Sequence, residues 1–138
     1  MGRYEEAILA LQEVILSAPE NVQARCNLGN IYAHLGRITE AAEEIETAIR
    51  LDPGYAPARN HQGNIYLEQN KAGSAPAEFQ AAIDLDPDYA GAHTNLGNVY
   101  CDSGRYEDAV KQFEESLRID PMDVDVNFNL GMAYCEAL

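Results

Sequence analysis

Basic residues are scarce in this sequence. Its 138 residues include only 9 lysines and arginines against 23 aspartates and glutamates, which gives a formal net charge of −14. A nucleic-acid or anionic-membrane ligand is therefore disfavoured, because either would require a basic stripe to neutralise phosphate. The charge favours a basic or neutral partner instead. No run of about 18 apolar residues is present, so no transmembrane helix is expected.

Cysteines are also few, and their spacing does not suggest pairing. Cys26, Cys101 and Cys135 are an odd number and are far apart in sequence, and no C-x-x-C motif occurs. We interpret them as free thiols in a reducing compartment, with Cys101 and Cys135 in a small apolar, core-like role. The first residues lack a basic start followed by an apolar stretch, so no signal peptide is expected and a cytoplasmic location is favoured.

Motifs of catalysis are absent from the sequence. There is no H-E-x-x-H, no glycine-rich phosphate loop and no nucleophile elbow. The three histidines, His34, His61 and His93, do not occupy equivalent places. His61 near Cys26 and Asn30 could form an adventitious metal site, but a hydrogen-bonding role is favoured. We therefore expect a non-enzymatic protein without a metal or cofactor.

A period of 34 residues dominates the chain. The segment Asn-Leu-Gly-Asn-Ile-Tyr at 27–32 returns in related forms at 61–66, 95–100 and 129–134, and Leu-Asp-Pro at 51–53 returns at 85–87 and, as Ile-Asp-Pro, at 119–121. Between these segments the apolar residues follow helical spacing, as in Ala41, Ile45, Ala48 and Ile49. Glycine and proline mark the turns. The sequence predicts a stack of identical units, each with a first helix (helix A) and a second helix (helix B).

The pattern of Leu-Gly, then tyrosine, alanine, a large apolar residue and proline resembles the tetratricopeptide repeat. The resemblance divides the chain into a half repeat at 1–21, whole repeats at 22–55, 56–89 and 90–123, and a half repeat at 124–138. It implies an all-α, right-handed solenoid of antiparallel helix pairs with about seven helices. Small residues, glycine at the eighth position and alanine at the twentieth, should let helices A and B cross closely.

Two departures from the family pattern stand out. The fourth position, often tryptophan in the family, is polar here: it holds Arg25, Arg59, His93 and Asn127. In the second whole repeat, Pro76 follows a turn without the usual charged helix start. Since proline is tolerated only in the first turn of a helix, that helix B should begin late, near Ser74 or Ala75, and form the loosest joint of the array.

In tetratricopeptide proteins the A helices line a concave groove, and the resemblance places several residues of this chain there. The asparagines are notable, because a carboxamide both donates and accepts hydrogen bonds and so suits an extended peptide backbone. The alternative is that they bridge neighbouring helices. The groove residues implied by the resemblance are Asn27, Asn30, Asn60, His61, Asn64, Leu67, Asn95, Asn98, Phe128, Asn129 and Met132.

The resemblance also bears on the partner. The asparagine series is similar to the ladder of the O-linked N-acetylglucosamine transferase superhelix, whereas the cations of the carboxylate clamp that holds chaperone tails are missing. We expect a scaffold that binds an extended peptide or a partner helix. The alternatives are head-to-tail self-assembly through uncapped terminal helices, or a substrate-recruiting segment of a larger enzyme. Neither nucleic acid nor membrane is an expected partner.

Overall fold

The computed structural model describes residues 2–138, which form eight α-helices in antiparallel pairs. The helices are α1 (Gly2–Ser17), α2 (Val22–His34), α3 (Ile38–Leu51), α4 (Ala56–Glu68), α5 (Ala75–Leu85), α6 (Ala90–Asp102), α7 (Tyr106–Ile119) and α8 (Val124–Glu136). Helices α2, α4, α6 and α8 are A helices, and the others are B helices. The all-α solenoid is confirmed. The count of seven is wrong by one, because three whole repeats supply two helices each and each half repeat supplies one.

In each whole repeat, helix A crosses helix B at a glycine. No side chain could be added there without a clash: an ideal Cβ would lie 2.8 Å from the opposing side chain at Gly29 and closer at the next two glycines. The opposing side chains are fully buried. The distances from the added Cβ are 2.8 Å to Ile45 Cδ1 at Gly29, 2.5 Å to Phe79 Cε1 at Gly63, and 2.6 Å to Phe113 Cε1 at Gly97. The close crossing expected from the repeat is therefore present in each whole repeat.

The residue at the fourth position links the two helices of its repeat through a polar contact. A separation of 19 residues recurs in all three whole repeats, so the same place on helix A meets the same place on helix B. The pairs are Arg25 Nη1 with Glu44 Oε2 at 2.9 Å, Arg59 Nη1 with Glu78 Oε2 at 3.3 Å, and His93 Nδ1 with Gln112 Oε1 at 2.8 Å. Polar pairing thus occupies the place where the family often has tryptophan.

An aspartate ends each B helix of the whole repeats. Asp52, Asp86 and Asp120 have extended φ/ψ values of −139°/93°, −140°/93° and −125°/88°. Each carboxylate accepts a hydrogen bond from the backbone N–H two residues later, at 2.9, 3.2 and 3.3 Å. The three aspartates therefore belong to the turns that follow the B helices.

Helix α5 begins at Ala75, three residues later than the equivalent starts of α3 and α7, and Pro76 lies in its first turn. The late start predicted from Pro76 is confirmed. The turn before it is also unusual, because Asn70 has a φ of 57° where the flanking repeats place Gly36 and Gly104, with φ of 73° and 72°. A left-handed backbone costs a residue with a Cβ more than it costs glycine.

None of the helices between residues 2 and 138 is both long enough and apolar enough to cross a lipid bilayer.

Candidate functional site

The A helices lie side by side, and several of the predicted groove residues line hollows on one surface of this layer, which we call the A face. Helix α2 contacts α4, and α6 contacts α8. A hollow of about 230 Å³ opens between α2 and α4, lined by Asn30, Ala33, His34, Asn64, Leu67 and Glu68. A second hollow of about 390 Å³ is lined by Asn98, Cys101, Asp102, Phe113, Asn129 and Met132. The structure therefore brings Asn30, Asn64 and Leu67 together in one hollow, and Asn98, Asn129 and Met132 in the other.

Hydrogen bonds between asparagines tie the later A helices to one another. Asn95 Nδ2 donates to Asn60 Oδ1 at 2.9 Å, which links α6 to α4, and Asn129 Nδ2 donates to Asn98 Oδ1 at 3.1 Å, which links α8 to α6. Each carboxamide offers two donors and an acceptor with two lone pairs, so these bonds use only part of its capacity. These asparagines thus bridge helices and keep part of their hydrogen-bonding capacity unused.

Asn60 differs from the other predicted groove residues. Its side chain is 5% exposed, and its Nδ2 donates to Tyr89 Oη at 3.3 Å while its Oδ1 accepts from Asn95. The expected place of Asn60 on the open groove surface is therefore corrected: it lies beneath that surface and holds the floor in position. Buried carboxamides with partners on both atoms fix the geometry of what lies above them.

Between α2 and α4, Asn30 and Asn64 are half-buried and line the same hollow. In residues 2–138 neither carboxamide forms a hydrogen bond to another protein group; the Asn30 contact to His34 Nδ1, at 2.8 Å, uses the backbone oxygen. Asn27, one helical turn before, is exposed. This end of the A face therefore holds the asparagines that are freest to meet a ligand.

The histidine of the series, His61, is half-buried on the same face. Burial lowers the pKa of its imidazole, and the nearby His34 lowers it further. His61 is thus held neutral near pH 7 and can both donate and accept a hydrogen bond. Within residues 2–138, no group of three or more His, Cys, Asp or Glu side chains is arranged to hold a metal ion.

The three cysteines have different environments. Cys26 is 1% exposed within the core beside Ile8 and Leu28, and burial raises the pKa of its thiol to about 12. Cys101 is half-buried against the core around Phe113, in agreement with the expected apolar role. The same expectation is wrong for Cys135, which is exposed on α8.

The predicted apolar anchors do not form one cluster. Leu67 lines the hollow between α2 and α4, whereas Met132 lines the hollow at α8. Phe128 lies one helical turn before Met132, and the two side chains are 67% and 49% exposed. A ligand that touched all three would therefore have to run along the A helices in an extended form.

Charge on the A face is acidic. Position thirteen of successive A helices holds His34, Glu68, Asp102 and Glu136, and none of the predicted groove positions carries lysine or arginine. Glu68 and Asp102 each line one of the hollows. Glu68 and Asp102 therefore belong to an acidic row, and the signal that identifies it in the sequence is the recurring spacing of 34 residues.

Comparison with known families agrees with this geometry. The family profile described as "TPR repeat" matches residues 63–101 and 97–136, and the profile described as "Tetratricopeptide repeat" matches residues 1–56. A comparison with curated protein sequences gave no significant match.

Solved structures include similar helix arrays. The MamA protein is 29% identical, with a TM-score of 0.80 over 99% of this chain and 74% of that one. A thermophilic TPR protein of Thermus thermophilus is 22% identical, with a TM-score of 0.85 over 97% and 74%. The first TPR of Spaghetti (RPAP3), bound to the HSP90 peptide SRMEEVD, is 20% identical, with a TM-score of 0.76 over 82% and 90%. With two family profiles and a shared architecture, the chain belongs to the tetratricopeptide repeat family.

Proposed function

We propose that the A face binds an extended, basic or neutral peptide segment of a partner protein. The observation that carries this proposal is the hollow between α2 and α4, which the half-buried side chains of Asn30 and Asn64 line beside Leu67 and Glu68. Carboxamides pair with a peptide backbone, and the leucine offers an apolar contact. The asparagine hydrogen bonds that join α4, α6 and α8 hold the later A helices in place, which reduces the ordering cost of binding farther along the A face.

The acidic row sets the preferred charge of the peptide. Glu68 and Asp102 would attract lysine or arginine side chains and repel acidic ones. RPAP3 has been solved with the acidic peptide SRMEEVD. Since no lysine or arginine occupies the predicted groove positions of this chain, we expect that peptide not to bind.

The test begins with peptides selected from a random peptide display library against the whole chain, followed by affinity measurements with fluorescence anisotropy. Replacing Asn64 and Asn98 together by alanine should weaken binding about tenfold, through the loss of two hydrogen bonds. The matched control is Asn127→Ala, which removes an exposed carboxamide outside the A face and should leave affinity unchanged. Unchanged affinity in the double variant, or tight binding of SRMEEVD, would contradict the proposal.

Head-to-tail association is a second candidate, favoured by exposed apolar side chains on α1 and α8. Leu9 and Leu16 are 62% and 82% exposed on α1, and Val124 and Phe128 are 77% and 67% exposed on α8. Patches of this kind mark interaction surfaces. Sedimentation equilibrium should show concentration-dependent mass that Phe128→Glu abolishes; a monomer at all concentrations would eliminate this candidate.

A further inference from the structure

The structure contains a binding pocket on another surface, away from the A face. It has a volume of about 530 Å³ and lies among α3, α4 and α5. It shares no lining residue with the hollows of the A face. We call it the Gln62 pocket, and the residues that matter for its chemistry are Glu43, Glu46, Ile49, Arg50, Gln62 and Tyr66.

Gln62 is a polar residue at the repeat position where the other copies have leucine. The equivalent residues are Leu28, Leu96 and Leu130, of which Leu28 and Leu96 are at most 2% exposed. Gln62 is 4% exposed, and its Oε1 has no hydrogen-bond partner in residues 2–138. A buried acceptor without a partner costs free energy that leucine would not cost. A ligand that donates to this carboxamide would remove that cost.

The carboxylates around Gln62 favour a cationic ligand. Glu43 and Glu46 form no ion pair within the described chain, whereas Arg59 is already paired with Glu78 at 3.3 Å. The protein as a whole carries a net charge of −14, which adds to the attraction for a cation.

Arg50 is the remaining cation of the pocket, and its position is already determined by a hydrogen bond. Its Nη2 donates to Thr47 Oγ1 at 2.9 Å, one turn earlier on α3. Arg50 and Arg59 together offset two of the three carboxylates of the lining, so the pocket keeps one net negative charge.

In the described part of the chain, the ring of Tyr66 has no cation stacked on it, whereas the equivalent rings in the flanking repeats each have an arginine there. In the flanking repeats, the guanidinium of Arg37 lies 4.4 Å from the ring centre of Tyr32, and that of Arg105 lies 4.2 Å from the ring centre of Tyr100. No cation lies over Tyr66 in residues 2–138, and the equivalent turn position holds Lys71 in place of an arginine. A guanidinium over a tyrosine ring is a favourable contact.

We propose that the Gln62 pocket binds an arginine side chain of a partner protein. The planar guanidinium has five donors, enough to satisfy the Gln62 oxygen and a carboxylate of Glu43 or Glu46 together, and it can stack on Tyr66. The terminal torsion of Gln62 is soft, so a small rotation would bring its oxygen within reach of the ligand without exchanging the places of the oxygen and the amide nitrogen. Ile49 contacts the aliphatic stem. This site is independent of the peptide-binding A face.

The same place one repeat earlier shows that the site is specific to the second whole repeat. There the pocket is lined by Leu16, Leu28 and Ile15 together with Gln12, Tyr32 and Glu44, so leucines replace Arg50 and Gln62. That pocket lacks the buried acceptor, and its tyrosine is already covered by Arg37.

The first experiment titrates the whole chain with argininamide and records backbone and side-chain amide NMR shifts. Saturable shifts should appear at Gln62, Glu46 and Tyr66. Citrullinamide keeps the planar shape of argininamide, but its side chain is neutral and has an oxygen in place of one guanidinium nitrogen, so it has fewer N–H donors and should bind at least tenfold more weakly. Equal shifts with both probes, or argininamide shifts confined to Asn30 and Asn64 on the A face, would overturn the proposal.

Two variants then test the residues. Gln62→Leu introduces the residue of the other repeats, so it should fold normally, and it should weaken argininamide binding about tenfold. Glu46→Gln should weaken it several-fold, whereas Glu6→Gln, which removes the same charge from an exposed place on α1, should have no effect. Unchanged affinity in folded Gln62→Leu, or equal losses in Glu46→Gln and Glu6→Gln, would show that the pocket does not hold the probe.

Discussion

The repeat at 56–89 keeps the packing of its two neighbours but differs in the turn between its helices. Gly63 meets Phe79 just as Gly97 meets Phe113, with added-Cβ distances of 2.5 and 2.6 Å. Yet α5 has 11 residues, whereas α3 and α7 have 14 each. The crossing contact is therefore what the fold requires, while the turn and the outer surface are free to change.

An ion pair at the start of helix B also separates the two kinds of repeat. In the flanking repeats the arginine that precedes helix B binds an acid three residues later: Arg37 Nε to Glu40 Oε1 at 2.7 Å, and Arg105 Nε to Asp108 Oδ2 at 2.9 Å. The middle repeat has Lys71 and Ser74 in those places. Its helix start thus loses both the ion pair and the arginine that would cover Tyr66, and the Gln62 pocket lies in this altered repeat.

The largest effect is expected where the repeats are alike. In Gly97→Leu the new side chain would overlap Phe113, so we expect the free energy of unfolding to fall by about 3 kcal/mol. Urea unfolding followed by circular dichroism measures it. The matched control is Gly131→Ala, because an added Cβ there has nothing within 4 Å, and alanine should raise helix stability by up to about 1 kcal/mol. Equal losses in the two variants would contradict the crossing argument.

Restoring the ion pair should make the middle repeat resemble its neighbours. The double variant Lys71→Arg with Ser74→Asp adds an ion pair and a cation over Tyr66, for a gain of about 1 kcal/mol. Hydrogen exchange should show that the first turn of wild-type α5 opens more readily than those of α3 and α7, and that the double variant slows its exchange. The single variant Lys71→Arg should gain less stability than the double variant. Protection of α5 already equal to that of α3 would refute the loose joint.

A smaller gain is expected at the turn. Asn70 has a φ of 57° in a place where Gly36 and Gly104 occur, so Asn70→Gly should relieve left-handed strain and raise stability by about 0.5 kcal/mol, after the greater freedom of glycine in the unfolded chain is subtracted. The reverse change, Gly104→Ala at a φ of 72°, should lower stability by about 1 kcal/mol. Thermal unfolding of both variants measures the two effects; a loss in Asn70→Gly would show that the asparagine suits its turn.

The smallest effect is a pH dependence. Burial and His34 lower the pKa of His61 below its ordinary value of 6.5, so the unfolded chain binds the proton first as the pH falls. The contribution of neutral His61 to the stability of the folded chain is present above pH 6.5 and is lost as the pH drops through the lower, folded-state pKa. His61→Asn, which introduces the residue of the other repeats, should flatten this part of the profile. Parallel wild-type and variant curves between about pH 7 and pH 5 would contradict the assignment.

Most of the fold could be predicted from the sequence because the residues that pack helix A against helix B recur every 34 residues. The recurring glycines and prolines were enough to predict the helix pairs, and Pro76 was enough to predict where α5 begins. The site was less accessible. Asn60 has the same spacing as groove residues, yet its burial depends on Tyr89 and Asn95, which are 29 and 35 residues away.

Gln62 shows the other limit of sequence reasoning. The change from leucine to glutamine is visible in the second Leu-Gly segment, but only the structure shows that its oxygen lacks a partner within residues 2–138 and that the residue lines a pocket with Glu43, Glu46 and Tyr66. An amide at that position would have seemed an ordinary surface substitution. Gln62 matters because no neighbouring side chain in residues 2–138 donates a hydrogen bond to its buried oxygen.

The aspartate turns have a consequence for the length of the molecule. Asp52 and Asp86 join successive repeats with backbone angles that agree within a degree, and each turn is closed by a hydrogen bond within three residues. Each joint therefore contains its own closing hydrogen bond. A gene duplication of 34 codons, one for each residue of the repeat, could insert another copy at such a joint and extend the array by one fixed step. The reach of this protein can thus evolve separately from what it recognises.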